Sequence, residues 1–77
     1  MTVEILTADK NIYQGDAELV TFPGKDGSFG VMNNHAPMIA SLRQGEIVVK
    51  NGQNEESFQV NGGVVEVLNN NVVVLAE

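Results

Sequence analysis

The sequence predicts an all-β protein, a small antiparallel β-sandwich of about ten short strands with no helical hairpin. Short segments rich in β-branched residues recur along the chain, and turn residues such as asparagine and glycine separate them at close spacing. No window shows the hydrophobic period of an amphipathic helix. The 77 residues allow one domain, so we assign residues 1–77 to a single β-sandwich domain.

The predicted strands follow one another along the whole chain. The first, "TVEIL", places Val3 and Ile5 on one face and Glu4 on the other. The later segments with strand composition are "AELVTF", "MIASL", "EIVVK", "ESFQV", "VVEVL" and "NVVVLA". The turn signals between them are Gln14-Gly15-Asp16, Gln44-Gly45, Asn51-Gly52, Asn61-Gly62-Gly63 and Asn69-Asn70-Asn71. Asn51-Gly52 suits the two positive φ angles of a type I′ hairpin turn.

Apolar residues occur on both faces of three later segments, "MIASL", "VVEVL" and "VVVLA". One face of a sandwich sheet covers the core, whereas the other normally meets water. The pattern therefore predicts that a partner covers part of the outer surface. The alternative is a curled sheet whose end residues pack beneath a loop.

The charge and composition narrow the functional classes. Ten acidic residues against four basic ones give a net charge of −6, which argues against binding to nucleic acid or to an anionic membrane surface. No apolar run approaches the roughly 20 residues of a membrane span, and the start "MTVEILTADK" lacks the pattern of a secretory signal. We therefore expect a protein of the cytosol, or of a surface that faces it, without direct membrane insertion.

The sequence offers no set of residues for catalysis. A nucleophilic triad needs an activated Ser or Cys, a His and an orienting acid, but the chain has one histidine, His35, no cysteine and no Gly-x-Ser-x-Gly motif. One histidine is also too few for a zinc site. Glu55 and Glu56 are neighbours on a predicted strand and point to opposite faces, so they do not converge on a substrate. We expect a protein that is not an enzyme and has no cofactor.

The stretch "FPGKDGSFGVMNNHAP" contains glycine at every third position, at Gly24, Gly27 and Gly30. A dinucleotide loop needs Gly-x-Gly-x-x-Gly before a helix, and a Walker loop needs Gly-Lys-Ser/Thr, whereas an aspartate follows the Gly-Lys pair here. Turn formation explains the stretch better, because the first two glycines and the two asparagines tolerate positive φ. Taken alone, His35 is interpreted as a structural residue that makes hydrogen bonds.

The same stretch resembles a segment shared by the epsilon subunits of F-type ATP synthases, which are called delta in mitochondria. In that family a Pro-Gly turn leads to Gly-x-x-Gly-x-x-Gly, an aliphatic residue, three variable residues and His-Ala-Pro before an apolar run, as in "PGKDGSFGVMNNHAPMIASL". The further similar blocks, in the same order along the chain, are "IYQGDAELVTFPG", "QGEIVVK", "NGGVVEV" and "NVVVLAE". The resemblance covers the whole chain in register.

The chain departs from the family pattern at several places. Asn33 stands where the family usually has proline, Asn61 where it often has serine, and Ser28 where several members carry an acid. Typical members continue beyond the sandwich as a helical hairpin, whereas this sequence ends at Glu77. We expect a naturally short form of the subunit, and a fragment of a longer member is the alternative.

The resemblance implies a non-catalytic β-sandwich at the foot of the rotor's central stalk. One outer sheet face would pack on the gamma subunit, and the lower loops would meet the c-ring of the membrane sector. Carried over to matched positions, the gamma-contacting residues are His35, Ala36, Pro37, Met38 and Ala40, and the c-ring-facing loop consists of Lys25, Asp26, Gly27 and Ser28. The resemblance further implies a peripheral subunit at the cytoplasmic face of the bacterial inner membrane, which is a monomer when isolated and helps couple proton transport to ATP synthesis.

A lipoyl or biotinyl carrier domain is the main alternative, because it is also a small acidic β-sandwich. Such a domain needs an exposed lysine at a hairpin tip, typically within Met-Lys-Met or Asp-Lys-Ala. Lys50, beside Asn51-Gly52, is the one lysine close to a symmetric hairpin, but its neighbours are Val49 and Asn51. An enzymatic function is a more distant alternative, since no triad, metal set or phosphate loop supports it.

Overall fold

The computed structural model of this chain describes residues 1–77 and consists of nine β-strands without a helix. In chain order, the strands are β1 (Thr2–Leu6), β2 (Asn11–Asp16), β3 (Leu19–Phe22), β4 (Phe29–Met32), β5 (Met38–Leu42), β6 (Gly45–Asn51), β7 (Asn54–Val60), β8 (Gly63–Leu68) and β9 (Asn71–Ala76). The predicted all-β class is confirmed, with nine strands in place of about ten.

The strands form the two sheets of the sandwich. The first sheet has the order β2-β1-β9-β8-β5, and the second has the order β4-β3-β6-β7. Neighbouring strands are antiparallel except for β1 and β9, which run parallel with Val3 beside Val72 and Ile5 beside Val74. The first and last strands of the chain therefore lie next to each other inside the first sheet.

The core lies between the two sheets and is apolar throughout. It contains 14 buried hydrophobic residues, and no polar or charged residue is buried. Phe22 and Ile47 come from the second sheet, whereas Val3 and Ile5 come from the first, where they alternate with the half-exposed Glu4 as predicted. Because burying one such side chain contributes about 1.5–3 kcal/mol relative to leaving it exposed, this layer is the main source of stability.

Two hairpin turns differ in backbone geometry. Between β8 and β9, Asn69 and Asn70 both have positive φ, at 51° and 63°, as in a type I′ turn. Between β6 and β7, the turn residues are Gly52 and Gln53, and only Gly52 has positive φ, at 64°. The type I′ turn predicted at Asn51-Gly52 is therefore wrong. Asn51 is the last residue of β6, so glycine takes the first central position of the turn, as in type II′.

The end of β2 also differs from the prediction. The sequence predicts a turn at Gln14-Gly15-Asp16, but these residues pair with β1 as part of a strand. Pairing outweighs the local turn preference, because the β1 backbone groups on this side need partners. Gly15 suits the strand for a packing reason, since a Cβ at this position would lie 2.9 Å from the hydroxyl oxygen of Tyr13.

The glycine-rich stretch is part loop and part strand. Gly30 lies within β4 and therefore does not form a turn. Gly27 has a φ of 134°, in agreement with the turn interpretation, whereas Gly24 does not have positive φ. Gly24 is required by close packing instead, because a Cβ there would overlap the Gly27 carbonyl oxygen. Of the two neighbouring asparagines, only Asn34 has positive φ, at 63°.

Candidate functional site

The loop predicted to face the c-ring joins β3 to β4. Its residues Lys25, Asp26, Gly27 and Ser28 are exposed, and none of their side chains makes a hydrogen bond or an ion pair within the chain. The Gly27 N–H donates to the Gly24 carbonyl oxygen at 3.1 Å, which closes the turn. The tip of the loop therefore presents one positive and one negative side chain to solvent.

The base of this loop is fastened to the chain in and after β5. The Lys25 N–H donates to the Ser41 carbonyl oxygen at 2.9 Å, and the Arg43 N–H donates to the Pro23 carbonyl oxygen at 2.9 Å. The Arg43 side chain adds a third hydrogen bond, from Nε to the Gly24 carbonyl oxygen at 3.1 Å. The loop is thus an exposed tip on a base that three hydrogen bonds hold.

The segment between β4 and β5 carries three of the residues predicted to contact gamma. His35 is half-buried, and its backbone N–H donates to the Met32 carbonyl oxygen at 3.2 Å. Its Nδ1 lies 2.7 Å from the Ala36 carbonyl oxygen, so a proton on Nδ1 makes this contact a hydrogen bond. Ala36 and Pro37 are exposed. These bonds agree with a structural role for His35, and contact of all three residues with gamma remains a prediction.

Strand β5 turns the other two predicted residues toward the sandwich. Met38 pairs with Val67 and Ala40 with Val65, and both valines are buried, so Met38 and Ala40 point inward and pack half-buried against the core. Ile39, between them, points outward and is 71% exposed. The expectation that the gamma-contacting residues share an outer sheet face therefore does not hold for Met38 and Ala40, because the register with β8 turns them inward.

A groove of about 370 Å³ brings residues of the two predicted sets together. It lies between the loop after β3 and strand β5, and its lining includes Lys25, Asp26, Gly27, Phe29, Met38 and Ala40. Residues that the sequence assigns to two different partners therefore line one concavity. Sequence reasoning missed this groove, because it depends on the contact between Gly24 and Leu42, which are far apart in the chain.

The outer face of the first sheet exposes apolar side chains, as the pattern on both faces predicts. Ile39, Val64 and Leu75 are 71%, 42% and 59% exposed, and Val64 and Leu75 are direct neighbours across β8 and β9. Glu66 lies opposite Ile39 across β5 and β8. The three apolar residues do not pack beneath a loop, so a curled sheet end does not account for them.

The other kinds of site considered from the sequence find little support in the structure. No group of three or more His, Cys, Asp or Glu side chains is placed to hold a metal ion. Lys50 lies within β6, where its Nζ is 3.6 Å from Glu55 Oε1, and the hairpin tip consists of Gly52 and Gln53. The carrier-domain alternative is therefore not supported, because the tip has no lysine. The structure has no helix that is long and apolar enough to span a membrane.

Comparison with known proteins identifies one family. The family described as "ATP synthase, Delta/Epsilon chain, beta-sandwich domain" matches residues 1–77. The chain is 44% identical over 78 residues to ATP synthase epsilon chain 1 of Methylococcus capsulatus, covering 100% of this chain and 56% of that protein. It is 34% identical over 73 residues to the ATP synthase epsilon chain of Caulobacter vibrioides, covering 95% of this chain and 85% of that protein.

Solved structures share the fold at lower identity. A chain in the central stalk and c-ring structure of Tetrahymena thermophila mitochondrial ATP synthase has a TM-score of 0.82 at 18% identity, covering 97% of this chain and 61% of that chain. A chain in an OSCP, F1 and c-ring structure of Euglena gracilis mitochondrial ATP synthase has a TM-score of 0.89 at 21% identity, covering 96% and 48%. This chain spans 56% of the Methylococcus relative, or just over half its length. Matched over its whole length, the chain belongs to the family of ATP synthase delta/epsilon β-sandwich domains.

Proposed function

We propose that this chain is a non-catalytic structural subunit of the central stalk of an F-type ATP synthase. The observation that carries the proposal is the family match over residues 1–77. In this role the sandwich connects the gamma subunit to the c-ring and supports the coupling of proton transport to ATP synthesis. Within the synthase, the chain is a peripheral subunit at the cytoplasmic face of the bacterial inner membrane.

The proposed gamma contact uses the segment from His35 to Ala40. Exposure of Ala36, Pro37 and Ile39 supports it, because these side chains lie together at the start of β5 and are accessible to a partner. The groove supports it as well, since it gives access to the half-buried Met38 and Ala40. Covering such apolar surface contributes about 25 cal/mol per Å² to association.

The proposed c-ring contact uses the loop tip from Lys25 to Ser28. The exposed Lys25 and Asp26 side chains have no partner within the chain, so both are available to polar groups of another subunit. The three hydrogen bonds at the base join the loop to β5 and to Arg43. These three hydrogen bonds would therefore transmit a force on the loop tip to the sandwich.

The proposed role requires no nucleotide. Lys25 is the only basic residue in the glycine-rich stretch, and the net charge of −6 repels a polyanionic ligand. The loop after β3 leads into strand β4, so it lacks the helix N-terminus that phosphate-binding loops use. In this proposal residues 1–77 contribute no nucleotide-dependent switch to the rotor, and the isolated chain is a monomer.

Reconstitution tests the proposed function. Synthase depleted of this subunit would be placed in vesicles with or without the purified chain, and ATP-driven proton pumping would be measured together with ATP hydrolysis. We expect the chain to raise the number of protons pumped per ATP hydrolysed, whereas heat-unfolded chain, as the control, should not. Equal coupling in the presence and absence of folded chain would contradict the proposal.

A further inference from the structure

The two sides of the sandwich, where the edge strands of the two sheets face each other, differ in their packing. Where β2 and β7 form the edges, the rings of Tyr13 and Phe58 meet with their centroids 5.2 Å apart. Where β5 and β4 form the edges, Phe29 instead pairs with Phe22 of the adjacent strand β3, at 5.3 Å. The groove of about 370 Å³ lies on this second side. One side is therefore closed by an aromatic pair between the sheets, and the other has a concavity.

Strand β5 has free backbone groups along this groove. In an antiparallel ladder, the N–H and C=O of one residue point to the same side, and the side alternates along the strand. The Ser41 carbonyl oxygen accepts from the Lys25 N–H at 2.9 Å, so the backbone N–H and C=O of Ser41 point away from β8. The backbone N–H and C=O of Ile39, two residues earlier, point in the same direction. β8 is the only strand beside β5 in its sheet, and Ile39 makes no backbone hydrogen bond to a loop. The N–H and C=O of Ile39 are therefore open to a partner.

The chain itself covers the rest of this edge. Gly24 forms an isolated bridge with Leu42, and the Arg43 N–H donates to the Pro23 carbonyl oxygen. Proteins cover sheet edges in this way because a free edge pairs with other chains. The uncovered length is Met38-Ile39-Ala40 together with the N–H of Ser41, and these residues line the groove.

We propose that an extended segment of the gamma subunit adds to the first sheet at this edge. It would pair with the N–H and C=O of Ile39 and place an apolar side chain in the groove, against Met38 and Ala40. Strand addition of this kind takes its affinity from main-chain hydrogen bonds and its specificity from side-chain pockets. The identity of the partner rests on the proposed function.

The negative net charge of the chain favours a gamma segment that carries positive charge. A net charge of −6 attracts a segment that carries lysine or arginine, whereas a second copy of this chain has the same charge and is repelled. The segment is therefore apolar where it enters the groove. Lysine or arginine elsewhere in the segment favours association, because Lys25 and Asp26 balance each other at the groove itself. Strand addition also accounts for the inward direction of Met38 and Ala40, because residues that line a receiving pocket contact a partner without lying on the outer face.

The substitution Ile39→Pro tests the backbone pairing. Proline removes the outward N–H and keeps the bonds of the β5–β8 ladder, and sheets tolerate proline at edge positions of this kind. Ile39→Thr is the matched control, since it keeps the N–H and the β-branched shape. In calorimetry with purified gamma, we expect Ile39→Pro to bind about tenfold or more weakly than Ile39→Thr, because both variants lose the isoleucine side chain and only the proline variant also loses the N–H. Binding of folded Ile39→Pro as tight as that of Ile39→Thr would overturn strand addition and leave the proposed gamma contact intact.

Amide hydrogen exchange gives a measurement that needs no variant. We expect the Ile39 amide to exchange fast in the free chain and to be protected in the gamma complex. Fast exchange at Ile39 within a formed complex would overturn the inference, even if Ile39→Pro does not fold. No binding of gamma by the unchanged chain would overturn both the inference and the proposed function. A dimer that Ile39→Pro abolishes, seen by light scattering, would assign the edge to a second copy and so overturn the inference.

Discussion

The backbone N–H of Lys25 donates a hydrogen bond of 2.9 Å to the carbonyl oxygen of Ser41. This bond joins the loop proposed to face the c-ring to the strand proposed to contact gamma. Both of its atoms belong to the backbone, so a substitution of the Lys25 side chain leaves it in place. Stability and coupling can therefore be separated experimentally at the loop tip.

Neutralising the loop charges should impair coupling without unfolding the domain. Lys25→Gln and Asp26→Asn remove exposed charges that have no partner in the chain, so each should change the free energy of unfolding by less than about 0.5 kcal/mol. Thermal unfolding measures stability, and proton pumping per ATP measures coupling in the reconstituted synthase. Lys50→Gln is the matched control, because Lys50 pairs with Leu19 at the opposite end of β3 from this loop. Normal pumping in both loop variants would show that these side chains are not important contacts.

A charge at position 38 should destabilise the sandwich more than the same charge at position 39. Met38 packs against the core, so Met38→Glu should lower the free energy of unfolding by about 1–3 kcal/mol, because a carboxylate loses hydration there. Ile39 is 71% exposed, so Ile39→Glu should change it by less than about 0.5 kcal/mol. Urea denaturation of the two variants is the measurement. Equal losses at both positions would contradict the inward direction of Met38.

Two glycines with nearly the same φ should differ in their tolerance of alanine. Gly27 and Gly63 have φ of 134° and 139°, but a Cβ at Gly27 meets nothing within 4 Å, whereas at Gly63 it overlaps the Leu75 carbonyl oxygen. Gly27→Ala should therefore cost about 1–2 kcal/mol from backbone strain alone. Gly63→Ala should cost more than about 3 kcal/mol, because strain and overlap add. The midpoints of thermal unfolding measure the difference, and similar midpoints would exclude the close contact at Gly63.

The isolated chain should not bind Mg-ATP. The glycine-rich loop leads into a strand and offers one basic side chain, Lys25, within a molecule of net charge −6. Isothermal calorimetry with Mg-ATP at millimolar concentration should give only the heat of dilution. A saturable heat signal would overturn this prediction, and so would ATP-dependent inhibition of a synthase reconstituted with this chain as its only epsilon.

Local signals predict those parts of the fold whose pattern is complete within a few residues. The sequence predicts β9 as "NVVVLA", and the strand has the same bounds, Asn71–Ala76, because asparagines with positive φ precede an unbroken run of aliphatic residues. The prediction fails at Gln14-Gly15-Asp16, where pairing with β1 decides the structure. The sequence also predicts no strand at Phe29–Met32, where Gly30 pairs with Thr21 across β3 and β4.

The candidate site can be predicted from the sequence less fully than the fold. A run such as "MIASL" shows that both faces of a strand are apolar, but it does not show which face turns inward. That choice depends on the register with β8, which sets Met38 beside Val67. The groove likewise depends on the bridge from Gly24 to Leu42, for which no local pattern exists.

The parallel pairing of β1 with β9 determines when the domain can form in the cell. Thr2, at the start of β1, pairs with Asn71, at the start of the last strand. A ribosome releases the N-terminus first, so β1 is synthesised long before β9, the strand that it pairs with inside the first sheet. Contacts between distant parts of a sequence form late, and until then the apolar Val3 and Ile5 stay accessible to chaperones and to other nascent chains. This sandwich therefore cannot complete its folding until β9 has left the ribosome.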